Sequence, residues 1–417
     1  MLLKFFGGAQ EVGRSSIMIK DGKTLMLDYG IKLNSKTEYP IGLPHIDAVV
    51  LSHAHLDHSG FLPAIYNEML VPTFGTPPTL KLSTLLLEDS LNITKKEHQQ
   101  PRFHKRQIKS FVNRYVNLDY HSNISVGDFN IQLFDAGHIC GSAITLLERK
   151  NSQNNKRIVY TGDYKLEQQY LHDGSEIVES DVLIMESTYA TKEHPDREKL
   201  IQDFVGGVRE VLDNGGTALV PAFAVGRAQE SLAILYRNKL TTSTFVDGMA
   251  RTATSIVLKY PDFIQHGDVL AKAVEETMSI DNHKDRRDAM VEPSVILTTA
   301  GMLNGGPVLN YITKLNRKSR IFLTGFQVEG SNGRMLLEKG AIMLSNKSVK
   351  IDTETSYYDF SAHAGKNDLH EYAKRSSPST IVCVHGSEEN TKALAEDLKR
   401  EGFQAYAPKV GDTIKLD

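Results

Sequence analysis

The sequence predicts an α/β protein in which one domain is interrupted by another, and three observations carry that expectation. Short β-type apolar runs between residues 1 and 190 end in polar or ionisable side chains. A strand, Gly-containing loop and helix pattern then repeats four times between 191 and 357, and the first style returns from 358 to 417. The simplest organisation is a first domain built from 1–190 and completed by 358–417, with an inserted domain at 191–357.

In the first part, TLMLDYG ends around Asp28, DAVVLSHAH at His53, NIQLFDAGH at His138, RIVYTGD at Asp163 and DVLIME at Glu186. Ligand-type residues therefore recur at strand ends. The middle units are TALVPAFAVGRAQESLAILY, STFVDGMARTATSIVLKY, PSVILTTAGMLNGGPVLNYI and RIFLTGFQVEGSNGRMLLE. They read as a parallel, doubly wound sheet, in which ligands bind beyond the carboxyl ends of the strands. The last part carries DFSAHAG, a helix-like stretch at 368–374, the strand TIVCVHG ending at His385, and an amphipathic helix over 388–401.

Composition narrows the function. The 417 residues are 40% hydrophobic and 24% charged, which suits a globular chain of two or three domains. No apolar run is long enough to cross a bilayer, and the start, MLLKFFGGAQEVG, breaks at a double Gly before a signal-peptide core could form. A soluble, cytoplasmic protein with no membrane partner is expected. Two cysteines, Cys140 and Cys383, are too few for a disulfide framework, and each sits in an apolar run that suits a buried thiol. A formal charge of −3 excludes a basic coat for nucleic acid, so any polyanion must be held at a local site. Trp is absent, which leaves base stacking to Tyr and Phe.

The segment His53-Ala54-His55-Leu56-Asp57-His58 is the strongest chemical signal. Three imidazoles and a carboxylate in six residues would strain around one ion and suit two adjacent ones. Zn²⁺ takes these donors at roughly 2.0–2.2 Å and keeps a position open in catalytic sites. Chance would produce this pattern in on the order of one in a thousand such chains. His138, Asp163 and His385 supply further donors at strand ends. Asp28 follows a strand too, and could orient an imidazole by accepting its second N–H, or simply belong to an Asp-Tyr-Gly turn.

These motifs resemble the metallo-β-lactamase fold, an αββα sandwich. Glu186 in MESTYA, His363 in FSAHA and His385 in VHG resemble motifs A, B and C of its β-CASP branch, whose members process nucleic acid. PAFAVGRAQE, DGMARTAT, AGMLNGGP and GFQVEGSNGR resemble the inserted β-CASP domain of that branch. The resemblance covers essentially the whole chain. It is strongest to archaeal relatives of the nuclease subunit of the mRNA 3′-end cleavage and polyadenylation specificity factor, without the N-terminal KH domains that some carry.

Position by position, the resemblance assigns His53, His55 and His138 to one zinc and Asp57, His58 and His385 to another, with Asp163 bridging. Two Zn²⁺ per chain are implied, roughly 3.5–4 Å apart, lowering the pKa of a water toward about 7. The catalytic set is Asp57, Glu186 and His363: His363 protonates the leaving oxygen, and Glu186 fixes its tautomer. The alternatives are a helix cap for His363 and a structural carboxylate for Glu186. Arg227, Ser331, Arg334 and Ser361 are candidates for gripping phosphate, since the first three open helices and Ser361 lies two residues from His363. Gly and Ser before helices are also ordinary turn and cap chemistry.

Residues 95–114 hold seven Lys/Arg and one Glu; the leading reading is a solvated helix face, the other a guide for the RNA backbone. The implied activity is zinc-dependent hydrolysis of single-stranded RNA in a cleft between the domains. Cutting is mainly internal, with 5′-to-3′ trimming as a second activity, in RNA 3′-end processing or decay. Self-association and other RNA-processing proteins are compatible partners. The rival readings are a 5′-3′ exoribonuclease, another enzyme of the same fold, and a non-catalytic RNA-binding subunit. Small-substrate enzymes lack the insertion, DNA-processing members typically replace the motif C His, and non-catalytic paralogues lose several ligands.

Overall fold

The computed structural model describes residues 1–33, 36–149 and 155–416. The chain forms two compact units. One comprises Met1–Gln168, His172–Glu193 and His363–Asp417, the other Gln169–Leu171 and His194–Ala362.

The first unit is built on two seven-stranded sheets. One runs, in spatial order, Thr413–Lys415, Leu2–Gly7, Ser16–Asp21, Lys23–Leu27, Ala48–Val50, Thr73–Gly75 and Tyr115–Asn117. The other runs Gln404–Tyr406, Thr380–Val384, Val182–Glu186, Lys156–Tyr160, Ala143–Arg149, Phe129–Asp135 and Asn123–Val126. Successive strand residues point to opposite faces. Thus Ile158 and Tyr160 join Leu3, Phe5, Ile17 and Leu27 in a core between the sheets. Val159, Ile381 and Cys383 turn outward to meet Leu369, Tyr372, Leu394 and Leu398 of helices Lys366–Ser376 and Glu388–Arg400. On the opposite side Met26, Val49 and Leu51 pack against Leu87, Leu91 and Phe111 of helices Pro77–Lys96 and Lys105–Arg114. Central strands buried on both faces need near-continuous apolar runs, which is why VLIME and TIVCV carry so little polar character. The product is an αββα sandwich.

The second unit is a parallel six-stranded sheet in the order Met278–Ile280, Thr244–Asp247, Ser294–Thr298, Thr217–Pro221, Arg320–Leu323 and Glu354–Tyr357. The four repeated units supply the four inner strands. Both edge strands lie outside that repeat. Met278–Ile280 and Glu354–Tyr357 are short and largely exposed or half-exposed, so neither carries the apolar run that marks a central strand. The third unit also departs from strand-loop-helix: Ser294–Thr298 is followed by only a short 3₁₀ turn, Pro307–Asn310. Gly305, Gly306 and Pro307 fall where the helix would have to nucleate.

Residues 358–362 cluster with this unit and not with the C-terminal segment that follows them. The Tyr358 and Phe360 rings pack on Phe204 with centroids at 5.4 and 5.5 Å, and Tyr358 stacks on Phe322 at 5.8 Å. Residues 191–193 cluster with the first unit, where the Lys192 carbonyl accepts from the Lys366 N–H at 3.1 Å. Among the described residues no helix is long and apolar enough to cross a membrane.

Asp247, at the end of its strand, is 1% exposed and accepts from Arg286 Nε at 2.7 Å, Arg286 Nη2 at 3.1 Å and the Tyr311 hydroxyl at 2.6 Å. Truncating it strands a guanidinium and a buried phenol. Asp247→Ala should therefore cost about 3 kcal/mol, read as a lowered urea midpoint. Glu371→Ala, which breaks only the exposed Glu371–Arg375 pair, should change stability by less than about 0.5 kcal/mol.

Candidate metal centre

The HAHLDH segment begins where strand Ala48–Val50 ends and turns into the single helical turn Leu56–Ser59. Its course is fixed by backbone bonds to a neighbouring loop. Tyr29 N–H donates to the His58 carbonyl at 2.8 Å, Ile31 N–H to Leu56 at 2.9 Å, and Ser15 N–H to Asp57 at 2.8 Å. This approach requires Gly30, because a Cβ there would sit 1.7 Å from the Asp57 carbonyl oxygen. The Asp-Tyr-Gly sequence thus has a steric reason of its own.

The remaining donors arrive on loops at the ends of the second sheet. His138 leads a turn pinned by Ser142, whose Oγ accepts from His138 N–H and Ile139 N–H, both at 3.2 Å. The Gly141 carbonyl in that turn accepts from Thr76 Oγ1 at 2.6 Å and Thr79 Oγ1 at 2.9 Å. Asp163 follows strand Lys156–Tyr160, and His385 follows Thr380–Val384 with its N–H donating to the Gly8 carbonyl at 2.7 Å.

Two groups of four result, and Asp163 belongs to both. His53, His55, His138 and Asp163 offer donor atoms within 4.8 Å of one another, as do Asp57, His58, Asp163 and His385. The two carboxylate oxygens divide the work. Asp163 Oδ2 faces His53 Nε2 at 3.5 Å and His138 Nε2 at 3.9 Å. Oδ1 faces His58 Nε2 at 3.2 Å and His385 Nδ1 at 3.0 Å.

The chemistry of these atoms tests whether a cation fits. His53 Nε2, His58 Nε2, His385 Nε2 and Asp163 Oδ1 are buried and make no hydrogen bond among the described residues. Buried polar atoms are rarely left so, and four converging ones mark a site for a bound group. Imidazole nitrogens mixed with carboxylate oxygens suit a divalent metal of the zinc type.

Electrostatics agree. Burial opposes charge on His58 and His385, yet Asp163 and the other facing carboxylates outweigh it and raise both imidazoles, His385 to about 10. Burial would also raise Asp163, but His385, His58 and His363 hold it well below the usual carboxylate range. His53, buried beside His58, is pushed down instead. The pocket thus attracts positive charge, and metal must displace protons to enter.

Asp28 supports this arrangement from behind. Its Oδ2 lies 2.7 Å from His58 Nδ1 and accepts from the Ser52 and Tyr160 hydroxyls at 2.7 Å each, while Oδ1 accepts from Ser52 N–H at 2.7 Å. A carboxylate held by three donors orients His58 so that Nε2 faces Asp163. Ser52 and Tyr160 were not singled out in the sequence. Their signals are faint: Ser52 precedes His53, and Tyr160 closes a strand three residues before Asp163. Asp28 and His385 also share a left-handed backbone, with φ of 57° and 48°, which non-glycine residues adopt only where surrounding structure enforces it.

Beside the cluster stands a histidine-carboxylate pair. Glu186 is fully buried at the end of its strand; its Oε1 accepts from Tyr164 N–H at 3.0 Å. His363 Nδ1 lies 2.9 Å from Glu186 Oε2 and 4.0 Å from Asp163 Oδ2. Burial opposes charge on His363, but Glu186 and Asp163 prevail and raise its pKa, favouring the imidazolium.

The four phosphate candidates belong to the inserted unit. Ser331 caps helix Asn332–Lys339, accepting from Arg334 N–H at 3.2 Å, and Arg334 Nε pairs with Glu338 at 2.6 Å on an exposed face. Both therefore carry ordinary helix-stabilising duties. Arg227 opens helix Arg227–Arg237, and Ser361 is buried.

Comparison with known proteins places this centre in a lineage. Residues 229–336 match the Beta-Casp domain model, 348–408 the Zn-dependent metallo-hydrolase RNA specificity domain, and 9–202 the anti-Pycsar protein Apyc1. A protein named probable RNase MJ4 from Methanocaldococcus jannaschii is 39% identical, with full coverage of both chains. This chain belongs to the β-CASP family of metallo-hydrolases.

Other β-CASP relatives are RNase aCSPSF2 of Saccharolobus solfataricus, 34% identical over 99% of this chain and 85% of its own, and the transcription termination factor FttA of M. jannaschii, 32% identical over 99% and 71%. A crystal structure of a protein of unknown function from Enterococcus faecalis V583 shares the fold, with a TM-score of 0.62, 17% identity, and coverage of 100% and 99%. The family is metal-dependent, in keeping with the divalent-metal site of this β-CASP chain.

Removing the Asp28 carboxylate should loosen that site without touching a donor atom. Asp28→Ala is expected to weaken metal retention by roughly 10–100-fold, measured by competition with a chromogenic chelator. Tyr160→Phe, which removes one of three supports, should have a smaller effect in the same assay.

Proposed function

We propose that this chain is a two-zinc ribonuclease that cuts single-stranded RNA internally. The observation that carries the reading is the shared carboxylate: Asp163 gives one oxygen to each of two four-residue donor groups, with His363 and Glu186 at their edge. The names of the relatives, two of them RNases, support RNA as substrate. On this reading His53, His55, His138 and Asp163 hold one zinc, and Asp57, His58, His385 and Asp163 the other.

Zinc in such a site supplies Lewis acidity toward a phosphoryl oxygen and activates water near neutral pH. The chain's own groups do the rest. Asp163 and the six other donors fix the positions at which attacking and phosphoryl oxygens are held. With Nδ1–H donating to Glu186, His363 carries a second proton at Nε2 as the imidazolium, the form that Glu186 and Asp163 favour, and delivers that proton to the departing ribose oxygen. Glu186 cannot swing away, since Oε1 is also tied to the Tyr164 backbone. It therefore fixes both the ring plane of His363 and which nitrogen faces the reaction. Nothing in this constellation requires a free RNA end.

Elemental analysis of protein purified without chelator should find two zincs per chain, and His385→Ala should lower that number. A wild-type value near one, unchanged in the variant, would overturn the assignment. His363→Ala should reduce turnover by roughly 10²–10⁴-fold with zinc content intact. Loss of zinc there would make His363 a ligand and not an acid. Circular RNA tests internal cutting: it should be linearised. Degradation of linear 5′-monophosphate RNA with the circle intact would instead establish a 5′-3′ exoribonuclease.

A further inference from the structure

Residues 95–114 carry a charge of +6 in a chain of net −3, so the rest of the molecule is at −9. The structure divides them between the last turn of helix Pro77–Lys96, a connecting loop and helix Lys105–Arg114. Ile108 and Phe111 face the core, and Lys105, Arg106 and Lys109 lie together on the opposite arc, exposed. Lys95, Lys96 and Arg102 are exposed as well.

Solvated helix faces elsewhere in this chain mix their signs. Helix Glu388–Arg400 pairs Glu388 with Lys392, Glu396 with Lys399 and Asp397 with Arg400, and helix Lys366–Ser376 pairs Glu371 with Arg375. No Lys or Arg between 95 and 114 forms an ion pair with any described residue. Lys105 and Arg106 moreover occupy the first turn of their helix, which holds no acidic residue, where the helix dipole disfavours positive charge. A cation cluster that opposes local stability and forms no ion pair among the described residues is arranged for a polyanion. Residues 95–114 expose no large apolar side chain, and Ile93 just before them is the single exposed one nearby in the chain, so the surface lacks the cluster of apolar anchors a protein partner would need.

Contacts tie this surface to the metal-bearing loops at both ends. The Arg102 guanidinium lies 5.4 Å from the Tyr39 ring centroid, and Tyr39 packs on Phe61 at 4.5 Å, three residues beyond His58. At the other end, Tyr115 Oη donates to the Thr76 carbonyl at 3.0 Å, and Thr76 Oγ1 reaches the His138 turn at Gly141. Lys105 stands about 15 Å from Tyr115, the length of a ten-residue helix.

We propose that Lys95, Lys96, Arg102, Lys105, Arg106 and Lys109 form a phosphate track that holds single-stranded RNA several nucleotides away from the bond being cut. This rests on the ribonuclease reading for its substrate and adds a second, remote contact. Its consequence is a preference for long RNA over fragments too short to span both places.

The test compares the zinc-loaded wild type with Lys105→Glu/Arg106→Glu/Lys109→Glu. Equilibrium binding to a single-stranded RNA of about 30 nucleotides and to a trinucleotide is measured across a salt series, alongside hydrolysis of bis(4-nitrophenyl) phosphate. The variant should bind the long RNA at least roughly tenfold more weakly, with the salt slope reduced by about 2, the loss of three single-strand phosphate contacts. Trinucleotide binding and bis(4-nitrophenyl) phosphate turnover should stay within about twofold, as expected for contacts that lie outside the reacting groups. Long-RNA affinity and slope unchanged in the variant would overturn the track. A wild type that hydrolyses the small phosphodiester but cuts no RNA would defeat the ribonuclease reading, while the binding series would still decide the track. Should the triple variant misfold, Lys105→Gln/Arg106→Gln, which only removes charge, gives the same comparison with a smaller shift.

Discussion

Everything at the centre of this molecule depends on one buried carboxylate. Asp163 is 2% exposed and faces five imidazole nitrogens at 3.0–4.0 Å, two on Oδ1 and three on Oδ2. Burying such an anion alone would be prohibitive, and burying so many imidazoles together nearly as costly. Each makes the other tolerable, and a divalent metal held among them would complete the balance. The sandwich exists to bring these groups together: loops from the ends of both sheets converge there, and the sheets are rigid because their central strands are buried on both faces.

A second layer of interactions fixes direction. Asp28 and Glu186 play parallel parts, each a fully buried carboxylate that holds one imidazole while backbone or hydroxyl donors hold the carboxylate. The difference lies in what the imidazole then does. His58 is aimed at Asp163 Oδ1 inside a donor group, whereas His363 stands beside Asp163 and retains some exposure, which suits the acid role proposed for it.

Much of this was legible because the ligand-type residues cluster at strand ends. His53 to His58 could be read directly, and the positions of His138, Asp163 and His385 follow from apolar runs that stop abruptly. What escaped the sequence is contact across it. Nothing at Ser52 or Tyr160 announces that both serve Asp28, 24 and 132 residues away. The edge strands of the inserted sheet escaped because exposed strands need no apolar run. Residues 358–362 look like the start of the C-terminal segment, but the rings of Tyr358 and Phe360 belong to a cluster built on Phe204. The Gly-Ser-Asn-Gly-Arg sequence likewise did not announce the helix cap of Ser331 or the pairing of Arg334 with Glu338. The cations of 95–114 could be counted in advance, but that they form no ion pair among the described residues could not.

The candidate ligands are spread from position 53 to 385, and two residues of the centre, Asp28 and His385, hold left-handed backbone angles that an unfolded chain would seldom sample. The complete site therefore exists only in the native state, and metal favours folding to the extent that it binds there more tightly than to the HAHLDH segment of an unfolded chain. Free-metal concentration thereby becomes a thermodynamic variable of folding: a hundredfold excess over the dissociation constant adds about 2.7 kcal/mol for one site that the unfolded chain does not bind. Metal starvation would then be felt first as a loss of protein, by local opening and proteolysis at these loops, and not only as a loss of turnover.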